Sequence, residues 1–203
     1  MSQTRDIPAA LKRIRQHGGT LRTHEALSLG IHPAALYSLR DSGQLVVLAR
    51  GLYRLAEEAE APDPDLAVVA ARAPSAAVCL VSALAFHQIT TQVPAAIHLA
   101  VPRGAYSHIT LDPLPVKVFR FDAKTFGLGL ETHETGAGRV RVYSAARAVV
   151  DSFKFRNKLG LDIALEALRM ARERDKATVK EIVRLARALR VERVLQPYLQ
   201  SIA

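Results

Sequence analysis

Apolar residues recur at helical spacing in three short segments near the start of the chain, residues 7–17, 23–29 and 33–42. A glycine pair follows the first segment, Thr23 stands where it can cap the second, and Pro33 suits the first turn of the third. The predicted core-facing positions are Leu11 and Ile14, then Ala26, Leu27 and Leu29, and finally Leu36 and Leu39. We therefore predict a compact group of three helices.

Two short apolar runs, residues 45–48 and 52–55, follow the third helix and are separated by Arg50-Gly51. Their Leu, Val and Tyr content, with glycine at the bend, predicts a β-hairpin. Helix, short helix, turn, helix and hairpin is the order of a winged helix-turn-helix. In a helix-turn-helix, the second helix of the pair enters the DNA major groove.

A different pattern follows residue 65, where helical and strand-like segments are mixed. Predicted helices cover residues 65–72 and 76–88, strands cover 97–101, 116–121, 128–131 and 139–143, and helices cover 144–157, 161–174 and 178–190. A short helix or tail closes the chain, and Pro197 is expected to limit its start. This order predicts a small mixed sheet followed by a helical bundle, and an α+β protein overall.

The segment between the two parts is acidic. Residues 57–65 hold five Asp and Glu, two prolines and no Lys or Arg, and repulsion between the carboxylates favours an extended chain. We therefore predict an N-terminal domain at 1–56, a linker at 57–65 and a C-terminal domain at 66–203.

Positive charge is concentrated on either side of this linker. Residues 1–56 carry eight Lys and Arg against three Asp and Glu, and residues 139–203 carry fifteen against seven, within a net charge of +9 for the chain. Such an excess favours a polyanionic partner. Double-stranded DNA is the partner that a winged helix-turn-helix would bind.

The third helix, the hairpin and the start of the second helix supply the candidate DNA contacts. Ala34 suits a thymine methyl group, Tyr37 and Ser38 can reach base edges or phosphates, and Arg40 lies late enough in its helix to meet a phosphate. The complete candidate set is Arg22, Thr23, His32, Ala34, Tyr37, Ser38, Arg40, Arg50 and Arg54. A winged helix that contacts only proteins is the alternative.

Two further groups stand out in the C-terminal part. Ser144 is placed to cap a helix, and Arg147 and Asp151 are four residues apart, which favours an ion pair on one helix face. The helix that begins at the Thr178–Glu181 capping box carries a basic face opposite its apolar one. The basic residues are Lys180, Arg184, Arg187 and Arg190. They predict an anionic partner, DNA or an acidic protein, with a merely solvated face as the alternative.

No enzyme or cofactor motif is complete. His24-Glu25 lacks the second histidine of a zinc-protease helix, and residues 135–140 have two glycines without the lysine of a phosphate loop. The acids and histidine of residues 131–134 are better explained as a solvated strand end than as metal ligands. Since Cys79 is the only cysteine and no signal segment or unbroken apolar span is present, we expect a cytoplasmic protein without membrane, metal or cofactor.

Four stretches resemble the AbiE-type (AbiEi family) antitoxins of type IV toxin–antitoxin systems, namely residues 18–55, 79–90, 97–104 and 142–153. The first is the most specific, because its helix, glycine and apolar hairpin end in Arg-Gly-x-Tyr. The resemblance implies a winged helix that represses its own operon at promoter repeats. It also implies a C-terminal domain, with Ser144, Arg147 and Asp151, that counters a nucleotidyltransferase-like toxin encoded alongside.

How the toxin is neutralised stays open between direct binding, competition for its target and chemical modification. The main alternative to a non-enzymatic antitoxin is a catalytic antidote whose C-terminal domain modifies the toxin, for example by phosphoryl transfer. A nuclease fused to a DNA-reading domain is less well supported, because the sequence has no clustered carboxylate–lysine site.

Overall fold

The computed structural model describes residues 7–58, 64–105, 108–135 and 137–201, the side chains of Glu58 and Ser201 excepted. The chain divides into two compact units. The first comprises Met1–Pro74, Leu111–Leu114 and Glu134–Val140, and the second comprises Ser75–Thr110, Pro115–His133 and Arg141–Ala203. Helices and strands are mixed, which confirms the predicted α+β class. Residues 59–63 of the predicted linker lie outside the described part, so its bounds stay a prediction.

Three helices and a small antiparallel sheet build the first unit. The helices are α1 (Ile7–Gln16), α2 (Thr23–Ser28) and α3 (Pro33–Asp41). The strands are β1 (Thr20–Arg22), β2 (Leu45–Ala49) and β3 (Leu52–Leu55), in the order β1-β3-β2. This is the predicted series of helices and hairpin, with β1 as an additional strand. Their common core includes Ile14, Leu21, Leu36, Leu39 and Leu55.

The short helix α2 differs from its prediction in two ways. Arg22, not Thr23, is its N-cap, and the Arg22 backbone N–H donates to the Glu25 carboxylate at 2.6 Å. The Thr23 N–H instead donates to the Gly51 carbonyl at 2.9 Å. Leu27, predicted to be in the core, is 49% exposed, because a helix of under two turns buries only Ala26.

A fourth helix, α4 (Pro64–Arg72), also belongs to the first unit. Tyr53 and Leu55 of β3 join the helical core, so the alternation of a strand turns Leu52 and Arg54 to the opposite face. Both are only 2% exposed, and α4 contacts the neighbouring strand β2. Both faces of the central strand β3 are therefore enclosed.

A five-stranded sheet follows. Its strands are β4 (Ala77–Val78), β5 (Ile97–Pro102), β6 (Val116–Phe121), β7 (Leu130–Thr135) and β8 (Gly138–Tyr143), in the order β6-β5-β4-β8-β7. β5 pairs parallel with β6, β4 pairs parallel with β8, and β4 pairs antiparallel with β5. The prediction of a mixed sheet is thereby confirmed.

Helices complete the second unit. They are α5 (Leu80–Phe86), α6 (Ala145–Lys154), α7 (Arg156–Leu159), α8 (Leu161–Glu173), α9 (Val179–Ala188) and α10 (Glu192–Ser201). α6 contacts α5, α8, α9 and α10, and every residue from Ala145 to Phe153 is buried. The second unit is thus organised around α6. Among the described residues, no helix has both the length and the apolar character needed to cross a membrane.

Several predicted element bounds in this unit were wrong. Residues 76–88 contain β4 before α5, the predicted helix 144–157 is interrupted at Phe155, and the strand predicted at 128–131 is β7. Pro197 lies inside α10 and does not mark its start. Ala77 and Val78 are fully buried, and a short buried strand has the same apolar pattern as a buried helix. Pairing of Ala77 and Val78 with β5 and β8 makes this segment a strand.

Candidate nucleic-acid interface and C-terminal residues

One face of α3 is exposed along its whole length. Its inward side consists of Ala35, Leu36 and Leu39. The predicted contacts His32, Ala34, Tyr37, Ser38 and Arg40 are all exposed. His32 is the N-cap, and its Nδ1 accepts the Ala34 N–H at 3.2 Å. The structure therefore brings these five candidates together on one accessible surface, which we call the α3 face.

Arg40 interacts with two neighbours at the end of the α3 face. Its guanidinium carbon lies 5.0 Å from the centre of the Tyr37 ring, and its Nη2 lies 2.7 Å from the Asp41 carboxylate. The side chains of Arg40 and Asp41 are 41% and 65% exposed, and such exposed pairs contribute little to stability. A DNA phosphate would compete with Asp41 for this guanidinium.

Arg50 stands at the tip of the hairpin between β2 and β3, and its side chain is exposed. The following Gly51 has a φ of +73°, a conformation that glycine adopts without strain. The Arg50 carbonyl accepts the Arg72 guanidinium at 3.1 Å. The hairpin tip is thus held by α4 while it presents a cation to solvent.

The prediction that Arg54 contacts DNA was wrong. Its side chain is 2% exposed, and its Nε donates to the Thr20 hydroxyl at 3.1 Å. Because β3 is the central strand and both its faces are enclosed, Arg54 has no path to a duplex. Arg22 and Thr23 are half-buried. The Arg22 guanidinium donates to the Ala71 carbonyl of α4, so it serves the fold of this unit.

In the second unit, Ser144 and Arg147 meet at the start of α6. The Ser144 hydroxyl oxygen accepts the Arg147 N–H at 3.2 Å, which confirms the predicted cap. The Arg147 Nε lies 2.8 Å from the Asp151 carboxylate, and both side chains are only 1% exposed. The predicted ion pair is therefore confirmed, but it is buried.

Arg147 also holds a loop. Its Nη1 donates to the carbonyls of Thr125 at 2.9 Å and Leu128 at 2.6 Å. Its guanidinium carbon lies 4.4 Å from the Tyr143 ring centre, and the Tyr143 hydroxyl donates to the Phe126 carbonyl at 2.8 Å. Residues 125–128, between β6 and β7, are thereby fixed to α6. We call Ser144, Arg147 and Asp151 the α6 hub.

Burial dominates the electrostatics of the α6 hub. It raises the pKa of Asp151 to about 6, although Arg147 acts in the opposite direction. It also raises the pKa of the Cys79 thiol well above its usual range. Groups that are 1% exposed cannot touch a partner, so Arg147 and Asp151 stabilise the domain, and any partner contact must come from surface residues.

The basic residues of α9 are on the surface. Lys180, Arg184, Arg187 and the following Arg190 are exposed, whereas Ile182, Leu185 and Ala186 are buried. Arg187 is paired with Glu192 at 2.7 Å. Within the described part of the chain, no cluster of three or more His, Cys, Asp or Glu is arranged to hold a metal.

A family model matches part of the first unit. Residues 9–56 match the family model described as "Transcriptional regulator, AbiEi antitoxin". The AbiEi match covers the α3 face and the hairpin, confirms the resemblance seen at residues 18–55, and supports an antitoxin or regulator role. No curated protein sequence matches the chain.

A solved structure shares the fold over a longer range. The RV2827C protein from Mycobacterium tuberculosis is 16% identical, with a TM-score of 0.58 over 90% of this chain and 72% of that chain. At this identity the similarity concerns the fold alone.

Proposed function

We propose that this chain is a transcriptional autorepressor that binds double-stranded DNA through the α3 face and the hairpin tip. We further propose that its C-terminal unit counters a nucleotidyltransferase-like toxin. The observation that best supports the first part is the α3 face itself. Five polar or small side chains are exposed there while the opposite side of the same helix is in the core.

The order of residues along α3 suits a recognition helix. Ala34 lies in the first turn, where such a helix approaches base edges, and Tyr37 and Ser38 follow one turn later. Arg40, in the last turn, and Arg50, at the hairpin tip, suit phosphates on either side of the groove. Sequence would then be read by the start of α3, while the two arginines position the unit.

The antitoxin part rests on the AbiEi match. The α6 hub is buried, so the exposed basic face of α9 is the proposed contact with an acidic surface of the toxin or with DNA. Lys180 and Arg190 form no ion pair with any residue that the structure describes, and are available to such a partner.

Fluorescence anisotropy on DNA upstream of the chain's own operon tests the DNA part. Arg40→Ala and Arg50→Ala should each weaken binding of the full chain by about 1 kcal/mol and each reduce the salt slope by about one. Lys12→Ala is the matched control, because Lys12 is an exposed cation on α1. The proposed docking face is rejected if the Arg40/Arg50 double variant binds as tightly as the control.

The antitoxin part is tested by co-expressing the chain with the protein encoded next to it. Relief of growth arrest with an unchanged intact mass of the toxin supports neutralisation without covalent change. A mass increase of the toxin that depends on the chain and ATP would instead favour the catalytic alternative. Absence of any relief would reject the antitoxin role.

A further inference from the structure

A cavity of about 360 Å³ lies in the second unit beside the start of α6. It is formed by the ends of α5 and β8, the start of β7, and α9 with the turn before it. Its polar side chains are those of His87, Glu131, Ser144, Lys176, Glu181 and Arg184. A volume near the lower end of the range of about 300–1,000 Å³ that is usual for small-molecule sites indicates a small ligand.

Two cations, Lys176 and Arg184, line the cavity. Lys176 and Arg184 form neither an ion pair nor a side-chain hydrogen bond with any residue in the described ranges. Hydrogen bonds from Thr178, and after them the nearby charge of Arg184, lower the pKa of the Glu181 carboxylate, but this carboxylate forms its hydrogen bonds with Thr178. It accepts the Thr178 N–H at 3.0 Å and the Thr178 hydroxyl at 2.7 Å. Positive charge on this wall is therefore available to an anion.

The backbone adds donors at the same place. Ala145 and Ala146, the first residues of α6, line the cavity, and the first N–H groups of a helix have no intrahelical partner. The Ser144 hydroxyl oxygen accepts the Arg147 N–H. The Ser144 carbonyl accepts the Ala148 N–H at 2.8 Å. Among the described residues, the N–H groups of Ala145 and Ala146 have no acceptor, so they are available to a ligand. A helix start with two cations beside it favours a phosphate.

The remaining polar groups suit hydroxyls. The His87 Nε2 lies 2.8 Å from the Tyr143 carbonyl, and a carbonyl only accepts, so Nε2 carries the proton and Nδ1 is an acceptor. Burial lowers the pKa of His87, which keeps the ring neutral at physiological pH. Glu131 is an exposed carboxylate, 3.5 Å from His133. Acceptors of this kind bind sugar hydroxyls.

We propose that this cavity binds a phosphate group, either free or as the monoester of a small sugar. Lys176, Arg184 and the first N–H groups of α6 hold the phosphate, and Glu131 accepts from a sugar hydroxyl when one is present. The site lies within the second unit alone, so it does not depend on the DNA contacts proposed for the α3 face and the hairpin tip, although Arg184 also belongs to the basic face of α9.

Isothermal titration of the full chain with inorganic phosphate and with ribose 5-phosphate, at constant ionic strength, tests this proposal. Lys176→Met and Arg184→Gln should each raise Kd about tenfold, as expected for loss of a charge-assisted contact. Lys180→Gln is the control, because it removes the same charge from an exposed position on α9 that does not line the cavity. Its Kd should stay within about twofold of the parent.

The two probes distinguish the source of the phosphate. If ribose 5-phosphate binds more tightly than inorganic phosphate, and Glu131→Gln abolishes this difference, the ligand is a monoester. If the two probes bind equally and Glu131→Gln changes neither Kd, the ligand is free phosphate. In ¹H–¹⁵N spectra, the amide resonances of Ala145 and Ala146 should shift on titration. The proposal is overturned if neither probe binds, if these amides do not respond, or if Lys180→Gln weakens binding as much as the cavity variants.

Discussion

Two arginine–aspartate pairs in the described part of the chain have nearly the same distance and opposite exposure. On the α3 face, Arg40 and Asp41 are 2.7 Å apart and 41% and 65% exposed. In the α6 hub, Arg147 and Asp151 are 2.8 Å apart and 1% exposed each. Distance alone does not separate them. The two pairs differ in their exposure to solvent: water screens the first pair and is excluded from the second.

This difference decides what each pair can do. The exposed pair costs little to break, so in the proposed complex a DNA phosphate would replace Asp41 at the Arg40 guanidinium. The buried pair cannot be separated without leaving a charge in the protein interior. Arg147 also bonds to two loop carbonyls. The first pair is suited to binding and the second to holding a fold.

Arg147→Met should give the largest effect. It leaves the Asp151 carboxylate and two carbonyls without their donor, and should lower the free energy of unfolding by about 3–5 kcal/mol, measured by urea denaturation. The double variant Arg147→Met/Asp151→Leu should recover much of this loss, because no buried charge remains. A loss as small as that of Arg40→Ala, about 0.5 kcal/mol or less, would contradict the distinction.

Gly129→Ala tests how tightly the loop is fixed against the α6 hub. Gly129 has a φ of +69°, and a Cβ there would lie 2.8 Å from the Arg147 Cβ. We expect a loss of about 2 kcal/mol in unfolding free energy. Gly127→Ala is the control, since a Cβ at that position meets nothing within 4 Å. Equal effects of the two substitutions would show that the loop adjusts freely.

The stability that the buried pair contributes also depends on pH. Burial raises the pKa of Asp151 from 3.8 to about 6, so the folded chain binds a proton that the unfolded chain has already released. The stability from this group is present below about pH 4 and is lost as the pH rises through about 6. The difference between the parent and Asp151→Asn should therefore fall by about 2 kcal/mol between about pH 4.5 and 7.5.

Chemical denaturation of the parent and of Asp151→Asn at a series of pH values measures this difference. Subtracting the two unfolding free energies removes the contribution of the other titrating groups, because both proteins share them. A difference that is flat, or that grows with pH, would show that Arg147 keeps Asp151 ionised throughout.

Asp41→Asn should give the smallest effect. It should improve DNA affinity, whereas the substitutions at Arg147 and Gly129 lower stability. Removing this carboxylate releases Arg40 and deletes a negative charge from the α3 face, so DNA affinity should rise about two- to fivefold, with stability changed by less than about 0.5 kcal/mol. Fluorescence anisotropy at low salt measures the gain, and it should shrink at high salt. Weaker binding would mean that Asp41 itself accepts from a base.

Local patterns were sufficient for much of the first unit. Helical spacing placed Leu36 and Leu39 inward, which leaves Tyr37 and Ser38 outward whatever the partners of the helix are. The cap at Ser144 and the four-residue spacing of Arg147 and Asp151 were also readable, because both depend only on nearby residues. The AbiEi family match, at residues 9–56, lies in this same part of the chain.

Contacts within one helix or one hairpin can therefore be predicted from the amino-acid sequence. Which of these contacts are buried follows only from the packing of the folded chain. Arg50 and Arg54 lie in the same hairpin, yet Arg54 is enclosed because β3 is central, while Arg50 reaches solvent at the bend. Likewise, the cavity joins Lys176 and Arg184 to residues far away in sequence. Burial depends on what packs from elsewhere in the chain, and periodicity along one segment carries no information about that.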